Sequence, residues 1–73
     1  MQEEYLDCKG LRCPMPIVRI SQALKAVPVG TRLRIEATDP AFGADIQAWT
    51  GTLGHSLLEL EDGAIKTAVV EKR

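Results

Sequence analysis

The stretch Cys13-Pro14-Met15-Pro16-Ile17 decides where the first helix of this chain begins. After it, apolar residues recur at spacings of three and four, which predicts a helix from Cys13 to about Val27. The recurring residues are Ile17, Ile20, Leu24 and Val27. Two prolines this close together disrupt a helix interior but are tolerated in a first turn. The sequence therefore predicts that Cys13 is the N-cap, with Pro14 and Pro16 in the first turn.

Alternation and turn residues outline the other elements. Residues 4–9 and 31–37 alternate as strands do, and residues 55–61 and 64–71 predict two more strands joined by the hairpin signal Asp62-Gly63. Between them, Asp39 and Pro40 predict the N-cap and first residue of a second helix that ends at Gly54. Its predicted apolar stripe comprises Phe42, Ile46, Trp49 and Leu53.

The element order βαβαββ predicts an α/β two-layer sandwich, in which a four-stranded mixed sheet carries both helices on one face. The other face of the sheet is expected to be solvated, since it would hold Arg32, Arg34, Glu59 and Glu61. The 73 residues contain no repeat or linker stretch, so we expect a single domain over residues 1–73.

Composition and charge exclude several function classes. The net charge is -1: residues 1–35 hold six basic and three acidic residues, and residues 36–73 hold three basic and seven acidic ones. This is too little positive charge for direct nucleic-acid binding. No apolar stretch reaches membrane-spanning length, and early acidic residues interrupt any signal peptide. We expect a cytoplasmic monomer without a cofactor, in a compartment where thiols stay reduced.

Cys13 is the candidate nucleophile. A helix N-terminus favours an anion, and the neighbouring Lys9 and Arg12 add positive charge, so the sequence predicts a thiol pKa below the ordinary value. The thiolate is the species that attacks disulfides and persulfides. We therefore expect Cys13 to carry sulfur as a persulfide, with Pro14 and Pro16 stiffening its surroundings. Arg19 lies close enough in sequence to join Lys9 and Arg12 in a docking rim for partner proteins.

Cys8 has two interpretations. It shares a strand face with Leu6, which favours burial as a small apolar side chain. The alternative is a resolving thiol for Cys13. Two cysteines and the distant His55 are too few ligands for a structural zinc site, so no metal is predicted.

The segment Leu6-Asp7-Cys8-Lys9-Gly10-Leu11-Arg12-Cys13-Pro14-Met15-Pro16-Ile17 resembles the opening motif of the TusA/SirA family of small sulfur-carrier proteins. The resemblance extends along the chain through Thr38-Asp39-Pro40, Asp45-Ile46, Trp49 and Gly54-His55. It implies the same two-layer fold and a Cys13 that accepts sulfane sulfur and passes it on. The chain departs from many relatives at Thr50, where they have a second cysteine, and at Cys8, where they have a small residue.

The resemblance also implies partners. Donors in the family include cysteine desulfurases and rhodanese-like enzymes, and acceptors serve tRNA thiolation, sulfur oxidation or molybdenum-cofactor assembly. A sulfurtransferase-like carrier suits so short a chain better than a complete enzyme. Two alternatives stay open: a thiol redox or peroxide-sensing protein in which Cys8 resolves Cys13, and a regulatory module that binds an anion at the helix N-terminus.

Overall fold

The computed structural model describes residues 3–73, which form four strands and two helices in the order βαβαββ. The elements are β1 (Glu3–Cys8), α1 (Met15–Lys25), β2 (Arg32–Ala37), α2 (Phe42–Leu53), β3 (Ser56–Glu61) and β4 (Lys66–Glu71). The predicted order of elements is confirmed.

The four strands form one mixed sheet in the order β1-β2-β4-β3. The β1–β2 pair is parallel, and β4 is antiparallel to both β2 and β3. A parallel pair needs a crossover connection, which α1 supplies between β1 and β2. The last strand along the chain is therefore an inner strand, and β1 and β3 lie at the two edges.

The core lies between the sheet and the two helices. In β2, alternate residues face this core, as period-two spacing requires. The helices contribute residues at helical spacing, and every member of the two predicted stripes except Leu53 packs in or against this core. Its largest fully buried side chains include Phe42, Ile20, Ile35, Ile46 and Val70. The predicted two-layer sandwich is confirmed.

The opposite face of the sheet carries charged side chains, as the alternation predicted, and several of them form ion pairs. Arg34 lies 3.2 Å from Glu3 and 3.9 Å from Glu59, and Arg32 lies 3.6 Å from Glu71. Exposed pairs of this kind each contribute only about 0–1 kcal/mol. Their main consequence here is that these arginines are already engaged by acids of the same sheet.

Both helix starts differ from the predictions. The first helical bond of α1 runs from the Val18 N–H to the Pro14 carbonyl, 3.1 Å away, which makes Pro14 the N-cap instead of Cys13. The first bond of α2 runs from the Asp45 N–H to the Ala41 carbonyl, 3.0 Å away, so Ala41 is its N-cap. The predicted cap at Asp39 is therefore wrong, because the turn there is closed by backbone groups.

Two smaller predictions also need correction. The connection between β3 and β4 spans residues 62–65 and is longer than the two-residue hairpin that Asp62-Gly63 predicted. Leu53, placed in the apolar stripe of α2, is 54% exposed. It lies one turn beyond Trp49, where the helix has passed the edge of the core. Gly54 does end α2, in the left-handed conformation that glycine adopts without strain.

Candidate functional site

A tight turn after β1 brings the cysteine segment against the loop that precedes α2. Gly10 has a φ of 83°, which glycine accepts readily, and the Leu11 N–H donates to the Cys8 carbonyl at 3.2 Å. The Gly10 N–H donates to the Thr38 Oγ1 at 2.9 Å. The two loops are thus joined by a hydrogen bond immediately ahead of both helix starts.

Cys13 lies exposed two residues before the first residue of α1. Pro16, in the first turn of that helix, is buried and fixes the segment to the core. An open groove of about 400 Å³ begins at the cysteine and continues between α1 and α2. Its walls include Cys13, Pro14 and Ile17 on one side, and Asp45, Trp49 and Leu53 on the other. The groove is mostly apolar, with the thiol at one end.

Acidic groups surround the thiol. The Cys13 Sγ and one carboxylate oxygen each of Asp39 and Asp45 lie within 4.8 Å of one another. A hydrogen bond to Asp45, partial desolvation, and the charges of Asp45 and Asp39 raise the pKa of the Cys13 thiol above its ordinary value. The prediction of a lowered pKa is therefore wrong.

The predicted basic neighbours do not act on the thiol because Lys9 is engaged elsewhere. Its ammonium lies 3.1 Å from the Glu36 carboxylate, 3.3 Å from Asp7 and 3.2 Å from the Tyr5 hydroxyl. Glu36 belongs to β2, whose alternation directs it to the face of the sheet away from the helices. Arg12 is exposed and adjoins Cys13 in sequence, but its charge is not among the causes of the thiol's pKa shift.

Cys8 is fully buried, with no exposed surface. Burial raises the pKa of its thiol, and the positive charge of Arg19 opposes this only in part. Both cysteines are free thiols. The favoured interpretation of Cys8 as a buried apolar side chain is confirmed, and its use as a resolving thiol would require β1 to open.

The thiol and the two carboxylates form the one side-chain group within residues 3–73 whose ligand atoms are close enough to share an ion. Exposed carboxylates often lie together without an ion, and we assign no metal here. The absence of a metal or cofactor stays a prediction. Within the described part of the chain, neither helix has the length and apolar character needed to cross a membrane.

No sequence pattern assigned Asp45 a role, although it lies in the segment Asp45-Ile46 that carries the resemblance. Its position follows from helix geometry. Residues 45, 48, 49 and 52 occur at spacings of three and four, so they form one stripe along α2, and this stripe lines the groove. The sequence signal that could have identified Asp45 was an acidic residue at the start of this groove-lining stripe of α2.

Fold and site together define a small α/β thiol protein with one exposed and one buried cysteine. The family profile described as Sulfurtransferase TusA matches residues 4–72. The chain belongs to the TusA sulfurtransferase family, whose members include sulfur carriers.

Individual relatives agree with this assignment. YrkI of Bacillus subtilis, provisionally named a sulfur carrier protein, is 45% identical over 60 residues, which are 82% of this chain and 80% of that protein. The sulfur carrier protein TusA of Pseudomonas putida is 37% identical over 62 residues, or 85% of this chain and 78% of the relative. The chain also spans 30% of YrkF, a longer Bacillus subtilis protein that is 46% identical over 56 residues. The same domain thus occurs both alone and within longer proteins.

Proposed function

We propose that this protein holds sulfane sulfur as a persulfide on Cys13 and passes it to a partner protein. The observation that carries the proposal is the contrast between its two thiols. Cys13 is exposed at the end of an open groove, whereas Cys8 is completely buried. A partner's active site can reach the first sulfur and not the second.

The chemistry is a thiol exchange that balances without an added oxidant or reductant. The Cys13 sulfur attacks the terminal sulfur of a donor persulfide, a new S–S bond forms, and the donor's own S–S bond breaks. The donor leaves as a thiolate and takes up the proton that Cys13 loses. Delivery repeats the exchange with an acceptor thiol as the attacking group.

The groove provides space for the carried atom. A persulfide extends the side chain by one S–S bond of about 2.05 Å. The groove that begins at Cys13 measures about 400 Å³ and opens to solvent, so it has room for one additional sulfur atom. Trp49 and Leu53 form part of an apolar wall on the α2 side.

The resemblance to the family implies partners of two kinds, and we propose the same for this chain. The donor is a cysteine desulfurase or a rhodanese-like protein, and the acceptor belongs to a sulfur relay such as tRNA thiolation or sulfur oxidation. The proposed setting is the cytoplasm, where Cys13 stays reduced, with the protein acting as a carrier instead of a complete enzyme.

The docking surface that we propose is the exposed side of the α1 segment. Among residues 3–73, Arg12, Arg19 and Lys25 make no ion pair, while Lys9 and the arginines of the sheet are engaged by acids. These three lie in or just before α1, which contains no acidic residue. Lys72, the other described cation without an ion pair, instead donates to two carbonyls at the C-terminal end of that helix. Arg12 and Arg19 are nearest to the thiol in sequence and offer a positive surface to an acidic partner.

The two alternatives fit the geometry less well. Redox-sensing cysteines have low pKa values and an accessible resolving thiol, whereas the pKa of Cys13 is raised and Cys8 is buried. An anion at the start of α1 would meet the carboxylates of Asp39 and Asp45, and Pro14 and Pro16 offer it no N–H groups.

The test is sulfur loading followed by intact mass and peptide mapping. With a cysteine desulfurase and cysteine, the wild-type protein and the Cys8→Ala control should each gain sulfur, and Cys13→Ser should gain none. Serine at this exposed position replaces one small polar group by another, so far-UV circular dichroism should be unchanged. Sulfur mapped to Cys8 in Cys13→Ser would refute the assignment, and an internal disulfide in the wild type would favour the redox alternative.

A further inference from the structure

Asp45 is an acidic residue that the fold places beside the Cys13 thiol. It lies in the first turn of α2, next to the fully buried Ile46, which fixes how this turn faces the sheet. Its carboxylate and the Cys13 Sγ lie within 4.8 Å, although the two residues are 32 positions apart in sequence. The juxtaposition therefore depends on the packing of α2 beside the start of α1.

We propose that Asp45 is a positioning residue that accepts a hydrogen bond from the Cys13 thiol and holds the free carrier in its protonated, unreactive form. The inference rests on the proposed function of Cys13 and extends it to the regulation of that thiol. Asp39 assists from the loop before α2, since its carboxylate belongs to the same cluster.

The charges around the sulfur support this role. The charged groups that face it are Asp45 from α2 and Asp39 from the β2–α2 loop, and both favour the neutral thiol over the anion. Of the cations near it in sequence, Lys9 is bound to Glu36 on the other face of the sheet, and Arg12 is exposed. Two carboxylates within 4.8 Å thus dominate the field at the thiol.

A protonated thiol suits a carrier protein, because it limits reactions of the free thiol with molecules other than its partners. The thiolate reacts with alkylating agents and peroxides far faster than the thiol does, so a carrier that stays protonated when free avoids these reactions. A partner that brings a lysine or arginine next to Asp45 would neutralise the carboxylate and allow Cys13 to ionise inside the complex. Reactivity would then coincide with docking.

The experiment is the rate of alkylation of the free thiol as a function of pH, measured on the full chain. Asp45→Asn should lower the midpoint, and Asp39→Asn should lower it by less. Near neutral pH the alkylation rate should rise severalfold in Asp45→Asn. A lower thiol pKa increases the thiolate fraction, and the intrinsic nucleophilicity of the thiolate falls by only about half as many powers of ten. Asp45→Glu, which restores the acceptor, should return the profile toward wild type.

Glu59→Gln is the matched control, since it removes one negative charge from an exposed pair on the far face of the sheet. A midpoint in Asp45→Asn equal to those of wild type and Glu59→Gln would overturn the inference. A purely structural role for Asp45 would change the melting temperature and leave the midpoint unmoved. If Asp45→Asn fails to fold, an unshifted profile in Asp39→Asn, whose carboxylate belongs to the same cluster, would overturn it equally.

The readout separates this inference from the proposed function. Alkylation reports on the free thiol and needs no sulfur donor. An unshifted midpoint with normal sulfur loading would defeat the role of Asp45 alone, and a shifted midpoint without sulfur loading of Cys13 would defeat the carrier function alone.

Discussion

Cys8 should be almost inert to alkylation in the folded protein, and this protection can be measured against the unfolded chain. The perturbation is a small alkylating agent applied to Cys13→Ser, so that Cys8 is the only thiol present. Cys8 has no exposed surface, and it pairs with Ala37 at the end of β1. Reaction therefore requires at least the opening of this edge strand.

The size of the effect follows from chain length. A domain of 73 residues is expected to have an unfolding free energy of about 4–11 kcal/mol. Because β1 pairs with one neighbour only, Cys8 is expected to become accessible by local opening of this strand. The free energy of that opening should lie near the lower limit of this range. At 1.4 kcal/mol per factor of ten, alkylation should be about a thousandfold slower than in urea.

The assay compares alkylation rates by mass spectrometry in buffer and in denaturant at the same pH, with Cys13 in the Cys8→Ala variant as the exposed reference. Protection of less than tenfold would refute the reasoning, since Cys8 would then be accessible in the folded state. The resolving-thiol alternative would gain support from that result.

Two further predictions concern the ends of α1. The Lys72 ammonium donates to two carbonyls at the C-terminal end of this helix, at 2.6 and 2.7 Å. Because hydrogen bonds to charged groups contribute about 1.5–3 kcal/mol, Lys72→Met should lower the unfolding free energy by about 2 kcal/mol in urea titrations. Lys25→Met, which removes an exposed charge from the same last turn, is the control and should cost about 0.3–1 kcal/mol; equal losses would mean that the Lys72 hydrogen bonds add nothing. At the other end, Arg12→Glu and Arg19→Glu should slow sulfur transfer from the donor by reducing the association rate, with stability changed by under about 0.5 kcal/mol. The defect should shrink as salt rises, and transfer rates equal to wild type at low ionic strength would place the docking surface elsewhere.

The fold could be predicted because its signals act within single elements. The alternation of Leu33, Ile35 and Ala37 needs only a period of two, and the stripe of α1 needs only a period near 3.6. Both patterns can be identified within a single element and do not depend on how the rest of the chain packs. The boundaries were less certain, because the Met15 N–H bonds to the Arg12 carbonyl in a turn that the proline spacing did not reveal.

The electrostatics of the site could not be predicted, because they depend on contacts between distant residues. Counting charges near Cys13 in sequence gave a positive surrounding, but Lys9 pairs with Glu36, 27 residues away. The carboxylate of Asp45 reaches the thiol only once α2 is packed. Sequence proximity thus gave the wrong sign for the field around Cys13, and the assignment of Cys13 as the reactive residue stays a prediction.

The central position of β4 has a consequence for how the protein is made. β3 pairs with β4 and not with β2, so a nascent chain that has only reached β3 holds a parallel pair, β1–β2, and a strand without a partner. A sheet divided in this way is not expected to be stable by itself. Cys13 therefore leaves the ribosome well before the scaffold that shapes its surroundings exists. During that interval we expect the thiol to lack both the groove and the neighbouring carboxylate of Asp45, so that a partner recognising the folded surface would engage it only after β4 has closed the sheet.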